Sequence, residues 1–178
     1  MGWDFHCDES FTKADQIKEL LSLGTDRIVA HRIVGNVLWT VERISRETDR
    51  RMIVCYLLRK QRGQGWGYKA IGETEGPVEV SCPTALLALA GVPMNTYAMA
   101  WRKRVDAHHE ARWANQEALR CLRKGDTVSL RGCKFESIVI TNLNPLIGIH
   151  EGVAYRIPKN RVTNILATAP DVAPVAGI

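Results

Sequence analysis

Cys82 stands directly before Pro83, and a thiol so placed can be a nucleophile. If Pro83 opens a helix, Cys82 is its N-cap, where the partial positive charge and open N–H groups of the helix end favour thiolate. A cysteine-dependent hydrolase or transferase also needs a base, and His6, His31, His108 and His109 are the candidates, none at a diagnostic spacing. The competing reading is a small, half-buried cap residue beside a proline. Upstream, Lys69 and Glu73 lie four apart around Gly72, with Glu75 close behind. They read as an acid–base pair in a cleft or as an ion pair closing a corner, which when exposed contributes about 0 to 1 kcal/mol.

A different chemistry, phosphate contact combined with base stacking, is suggested where basic and aromatic residues interleave. Arg59, Lys60, Arg62, Trp66 and Tyr68 do so near the end of one strand, and Trp101, Arg102, Lys103, Arg104, Arg112 and Trp113 do so along one helix. The same mixtures suit an acidic protein surface, or are simply solvated faces. Charge is uneven along the chain: Thr25 to Arg62 holds nine Lys or Arg against four Asp or Glu, and Met99 to Lys134 again nine against four. The first 24 residues reverse the balance, with five acids and two lysines. Two basic stretches on one face would attract polyanions or acidic proteins.

The remaining motifs argue against common cofactors. Gly63, Gly65 and Gly67 alternate, as in loops that approach a phosphate, but no helix opening with Lys-Ser or Lys-Thr follows. A bend making room for Trp66 and Tyr68 fits better. His6-Cys7 and His108-His109 are adjacent pairs whose side chains diverge, so neither makes a chelate and no metal is expected.

These residues need elements to hold them. Ser10 or Thr12 caps a helix with Ile17, Leu20, Leu21 and Leu23 at helical spacing, stopped by Gly24. Gly35-Asn36 between two β-rich runs predicts a hairpin. Met52 to Leu58 is an uninterrupted apolar run, hence a central strand covered on both faces, and a fourth strand spans Trp66 to Ile71. A short helix follows Pro83, and a longer one runs from about Asn95 to Arg123. Beyond Gly125 come short strands at Thr127 to Leu130, Phe135 to Thr141, Leu146 to Ile149 and Val153 to Ile157, a spacing that suggests a small barrel or curled sheet. The expected fold class is α+β, an antiparallel sheet packed by helices and followed by a small β-barrel-like module. The domains are residues 1–124, a β module at 125–166 and a loose tail at 167–178.

With 178 residues, 46% apolar and 24% charged, the composition is that of an ordinary globular chain with a real core. The opening MGWDFHCDES is unlike a secretory leader, and no run approaches a membrane span. Five cysteines without a CxxC fit neither a disulfide framework nor a zinc ribbon, so a cytoplasmic protein with reduced thiols is expected.

The opening MGW, the GNVLWTVE strand, the strand ending CYLL, then GWGYKAIGETEGP, SCP and a helical WRKRV together resemble an uncharacterised family of small bacterial proteins carried by phages, plasmids and integrated elements. The resemblance covers roughly residues 1 to 166. Its most specific part is the GWGYK…E…GP…CP arrangement of Gly67, Tyr68, Lys69, Glu73, Gly76, Pro77, Cys82 and Pro83, with Ala70 where relatives tend to be acidic. It implies a context rather than an activity: a non-enzymatic accessory protein of a mobile element, binding nucleic acid or a host nucleic-acid-handling complex. An inhibitor of host defence, of the anti-CRISPR or anti-restriction kind, fits that context.

Overall fold

The computed structural model describes residues 2–45, 47–135 and 137–168. The chain divides into two compact units, Met1–His108 and His109–Ile178. The division falls inside the long helix expected to belong to the main domain, which therefore contributes to both cores.

In the first unit, strand β1 (Asp4–Phe5) precedes helix α1 (Lys13–Leu23), strands β2 (Ile28–Val34), β3 (Val37–Arg43), β4 (Arg51–Lys60) and β5 (Trp66–Gly72), and helix α2 (Thr84–Ala90). Helix α3 (Thr96–Cys121) begins here and ends in the second unit. The sheet is antiparallel, in the order β1-β5-β4-β3-β2. Thr12, of the two cap candidates, starts α1: its hydroxyl accepts from the Asp15 N–H while the Asp15 carboxylate accepts from the Thr12 N–H. The Thr12 hydroxyl also donates to the Asp15 carboxylate at 2.6 Å, and this bond first, then that from the Thr12 N–H, holds the Asp15 carboxyl below the usual carboxylate range. The β2–β3 hairpin turns at Gly35-Asn36, with Gly35 at φ 59° and Val34 opposite Val37.

Strand β4 is central, as its apolar run predicts. Because side chains alternate, Trp39, Cys55 and Ile71 form one cross-strand row while Leu38, Tyr56 and Ala70 form the next on the opposite face. The first face packs Val37, Trp39, Val41, Ile53 and Cys55 against Leu86 and Ala90 of α2 and Trp101 and Val105 of α3. The second packs Leu38, Val54, Tyr56 and Leu58 against Leu20, with Ile17 and Leu21, of α1. At its margin the buried Glu42 carboxylate accepts from Thr40 at 2.8 Å and Tyr56 at 2.7 Å and pairs with Arg27 at 2.8 Å, so this polar group is satisfied.

The second unit holds strands β6 (Thr127–Leu130), β7 (Ile138–Leu143), β8 (Leu146–His150), β9 (Val153–Arg156) and β10 (Val162–Ala167) in the order β10-β6-β7-β8-β9. Among the described residues β9 and β10 each pair on one side, so this is a five-stranded antiparallel sheet with two edges. Its core gathers Leu122, Val128, Ile138, Ile140, Leu146, Ile157 and Val162. Strand β7 runs later than expected, through Asn142 to Leu143 opposite Leu146, which leaves Asn144-Pro145 as the turn. Strand β10 occupies a segment that no strand was assigned to, and Ala167 ends it; residues 169–178 of the expected tail lie outside the described residues. No helix among the described residues is long and apolar enough to cross a membrane.

Candidate nucleic-acid interface

The sequence-predicted residues separate into a buried corner, a core thiol and an open sheet face. The corner begins where β5 ends in the 3-10 turn Glu73–Glu75. Glu73 is fully buried, and its carboxylate does not pair with Lys69 as expected. It receives Arg102 Nε at 2.7 Å and Nη2 at 2.9 Å, and the backbone N–H of Ile53 at 3.3 Å. Arg102 also donates to the Gly91 carbonyl. Asn95, just before α3, and two α3 side chains bind the same stretch: Asn95 Nδ2 donates to Thr74 O, Trp101 Nε1 to Glu79 O and Arg104 Nη2 to Pro77 O. Gly76, at φ 65°, makes the left-handed corner this wrapping requires. Glu73, Gly76 and Pro77 of the GWGYK…E…GP…CP motif thus lie in the stretch 73–79 that α3 and Asn95 hold in place. Arg102, expected on a basic binding face, is turned inward to the buried carboxylate, while Arg104 is exposed and places one N–H on the Pro77 carbonyl.

Cys82 lies in the core between sheet and helices, not at a helix cap; Pro83 occupies the N-cap of α2. Burial is the main cause that pushes its thiol up to about 12, with Cys55 and Glu73 adding to it and Arg102 opposing. The expected activation is therefore reversed: desolvation outweighs the helix end. Cys55, on the same core face, is pushed up to about 12 by the same cause. Of the candidate bases, His6 stacks on Phe11 at 3.9 Å and His31 lies on the edge strand β2.

The open face is built by β1, β5 and β4. Phe5 pairs with Gly67 and Gly67 with Arg59; Lys69 pairs with Leu57, and Trp3 lies two residues before Phe5. Alternation puts Trp3, Phe5, Lys69 and Arg59 on one face and Trp66, Tyr68 and Lys60 on the other. The Trp3 and Phe5 rings stack at 5.5 Å with an interplanar angle of 16°, and the Arg59 guanidinium lies 5.9 Å from the Trp3 ring centre. Gly67 makes the stack possible, since a Cβ there would meet Phe5 Cδ1 at 2.5 Å and clash with the Asp4 carbonyl. Trp3 keeps 37% of its surface exposed, Arg59 is exposed and Lys69 is half-buried.

Trp66 and Tyr68, expected to stack on a ligand, instead pack against the α1 core, with Lys13 Nζ 5.8 Å over the Trp66 ring. Burial is also the first cause that raises the Tyr68 hydroxyl's pKa, followed by Asp4. Lys60 and Arg62 are exposed at the β4–β5 turn. On α3, Lys103 is exposed in the first unit, and Arg112 and Trp113, the latter 68% exposed, belong to the second. Sequence reasoning missed Trp3 and Phe5 as site residues. Their signal was two aromatics spaced by one residue, on a strand too short to show a period. Among the described residues no group of three or more His, Cys, Asp or Glu is arranged to hold a metal. Comparison with protein-family models, curated proteins and solved structures finds no match.

Proposed function

We propose that this chain is a non-enzymatic binding protein whose ligand is single-stranded nucleic acid, free or displayed by a host nucleic-acid-handling complex. One observation carries the reading: a Trp3–Phe5 stack with Arg59 beside it, on an open sheet face. Aromatic faces accept any base, and a neighbouring guanidinium supplies both a cation–π contact and a phosphate partner. Lys69 shares the face, and Lys60 and Arg62 extend positive charge at the β4–β5 turn. The burial of Cys82 favours binding over thiol chemistry.

The resemblance to proteins of phages and plasmids supports a role in the cytoplasm of a bacterial host, where interference with a nucleic-acid-based defence is the natural use of such a surface. In the same reading the second sheet is a barrel-like module: β10 returns to β6, and the irregularities in the β10–β6 and β7–β8 ladders are of the kind that curl a sheet.

Fluorescence anisotropy with a labelled single strand of about 16 nucleotides, and with the duplex of the same sequence, tests this. The expected result is binding that prefers the single strand, quenches tryptophan emission and weakens as salt rises. Absence of binding at low salt, or equal affinity for the duplex, overturns the reading.

A further inference from the structure

Among the described residues strand β2 forms one edge of the first sheet, and the opposite edge is the two-residue β1. A two-residue edge is too short to template another strand, whereas β2 runs seven residues without Pro or Lys. Across the two-residue turn Val34 and Val37 form a hydrogen-bonded pair, as do Arg32 and Trp39 two positions on. Hence the N–H and C=O groups of Ile33 and His31 point away from β3. Arg32 Nη1 lies 3.5 Å from the His31 carbonyl oxygen, which is therefore on the outer side. Val29 and Ile33, flanking His31 at two residues on either side, are 40% and 47% exposed.

The strand reads Ile28-Val29-Ala30-His31-Arg32-Ile33-Val34, with β-branched residues placed symmetrically about His31. We propose that β2 pairs antiparallel with β2 of a second copy of this chain, about a two-fold axis at His31. In this register His31 faces His31, Val29 faces Ile33 twice, Ile28 faces Val34 twice, and Arg32 faces Ala30. Both exposed apolar side chains gain a β-branched cross-strand partner, and no guanidinium meets another. Moving the axis one residue, to Arg32, leaves the outward-pointing groups paired, His31 with Ile33, but sets two guanidiniums opposite each other. That charge pattern selects the His31-centred pair. The register shift within the β2–β3 ladder falls between Ile28 and Ala30, clear of His31 and Ile33.

Sedimentation equilibrium of the full chain over rising concentration tests the pairing. The expected mass climbs from 19.9 kDa to twice that value, while Ile33→Lys, which charges the edge strand, stays at 19.9 kDa with an unchanged circular dichroism spectrum. Hydrogen exchange on the unaltered protein gives a second reading, independent of any variant. The His31 and Ile33 amides slow at least about tenfold at high concentration, whereas the Arg32 amide, already bonded to β3, does not change. A wild-type chain that stays monomeric, a dimer that survives Ile33→Lys with native dichroism, or His31 and Ile33 amides indifferent to concentration overturns the proposal and leaves the edge to a different occupant.

Discussion

Arg102 and Glu73, 29 residues apart in sequence, meet as a two-point ion pair in which the carboxylate is fully buried and the guanidinium side chain 12% exposed. Both ends are held further, Glu73 by the Ile53 amide and Arg102 by the Gly91 carbonyl. Removing one partner strands a charge in the core, at a cost of about 3–5 kcal/mol. Glu73→Ala and Arg102→Ala are each expected to lower unfolding free energy by that amount in a denaturant titration. Lys103→Ala, one residue along α3 and exposed, is expected to stay within about 0.5 kcal/mol of wild type. A loss of binding in Arg102→Ala therefore reports unfolding, not a lost phosphate contact.

Gly67 is the spacer under the aromatic stack. A Cβ at this position collides with the Asp4 carbonyl and with Phe5 Cδ1 at 2.5 Å, both in the two-residue strand β1. Because β1 is the outermost strand, it moves more cheaply than β4 or β5. Gly67→Ala is expected to release residues 2–5 while the rest of the first unit stays folded. Amide exchange at Phe5 should rise to that of an open chain, with β4 amides still protected, and single-strand binding should fall with it.

How much of this was legible follows from what each signal depends on. The hairpin at Gly35-Asn36, the central strand and the helix capped by Ser10 or Thr12 rest on local chemistry, a turn dipeptide, an apolar run and a capping hydroxyl, and all three are present, with Thr12 as the cap. Strand β10 was not legible because its ladder with β6 shifts register between Val162 and Asn164 and again between Ile165 and Ala167, which destroys apolar alternation. The fate of Arg102 was not legible either. An arginine on a helix flank reads as solvated until the fold brings a buried carboxylate to it. The same holds for Trp66 and Tyr68: alternation puts them on one face, but only the docking of α1 makes that face interior.

The thiols divide by burial. Cys7 and Cys121 are exposed, while Cys55 and Cys82 are buried. A disulfide-exchange reagent at about pH 7.5 is expected to titrate Cys7 and Cys121 at once, and Cys55 and Cys82 on unfolding. A fast-reacting Cys82 would restore the nucleophile reading. Both buried thiols have pKa values raised from 9.0 to about 12. Their contribution to stability is thus whole below pH 9 and is lost as pH rises towards 12, because the unfolded chain releases those protons first. The double variant Cys55→Ala, Cys82→Ala is expected to flatten the fall of unfolding free energy between pH 9 and 12, whatever its effect at neutral pH.

Two locations compete for the polyanion, and substitution separates them. On the sheet face, Trp3→Ala removes one stacking surface worth about 1–3 kcal/mol per base, which weakens single-strand binding by about 5- to 150-fold. Arg59→Ala removes a cation beside the same ring, so it should weaken binding and also lower the slope of log affinity against log salt by about 0.7. On α3, Lys103→Ala and Arg112→Ala remove exposed charges on a helix rather than on the strand beside the Trp3 ring, and are expected to leave the fluorescence quench intact. Trp3 is 37% exposed and Arg59 exposed, so neither change should alter unfolding by more than about 1 kcal/mol. If the α3 pair abolishes binding while Trp3→Ala and Arg59→Ala leave it intact, the ligand lies along the helix and the stack serves only to fasten β1.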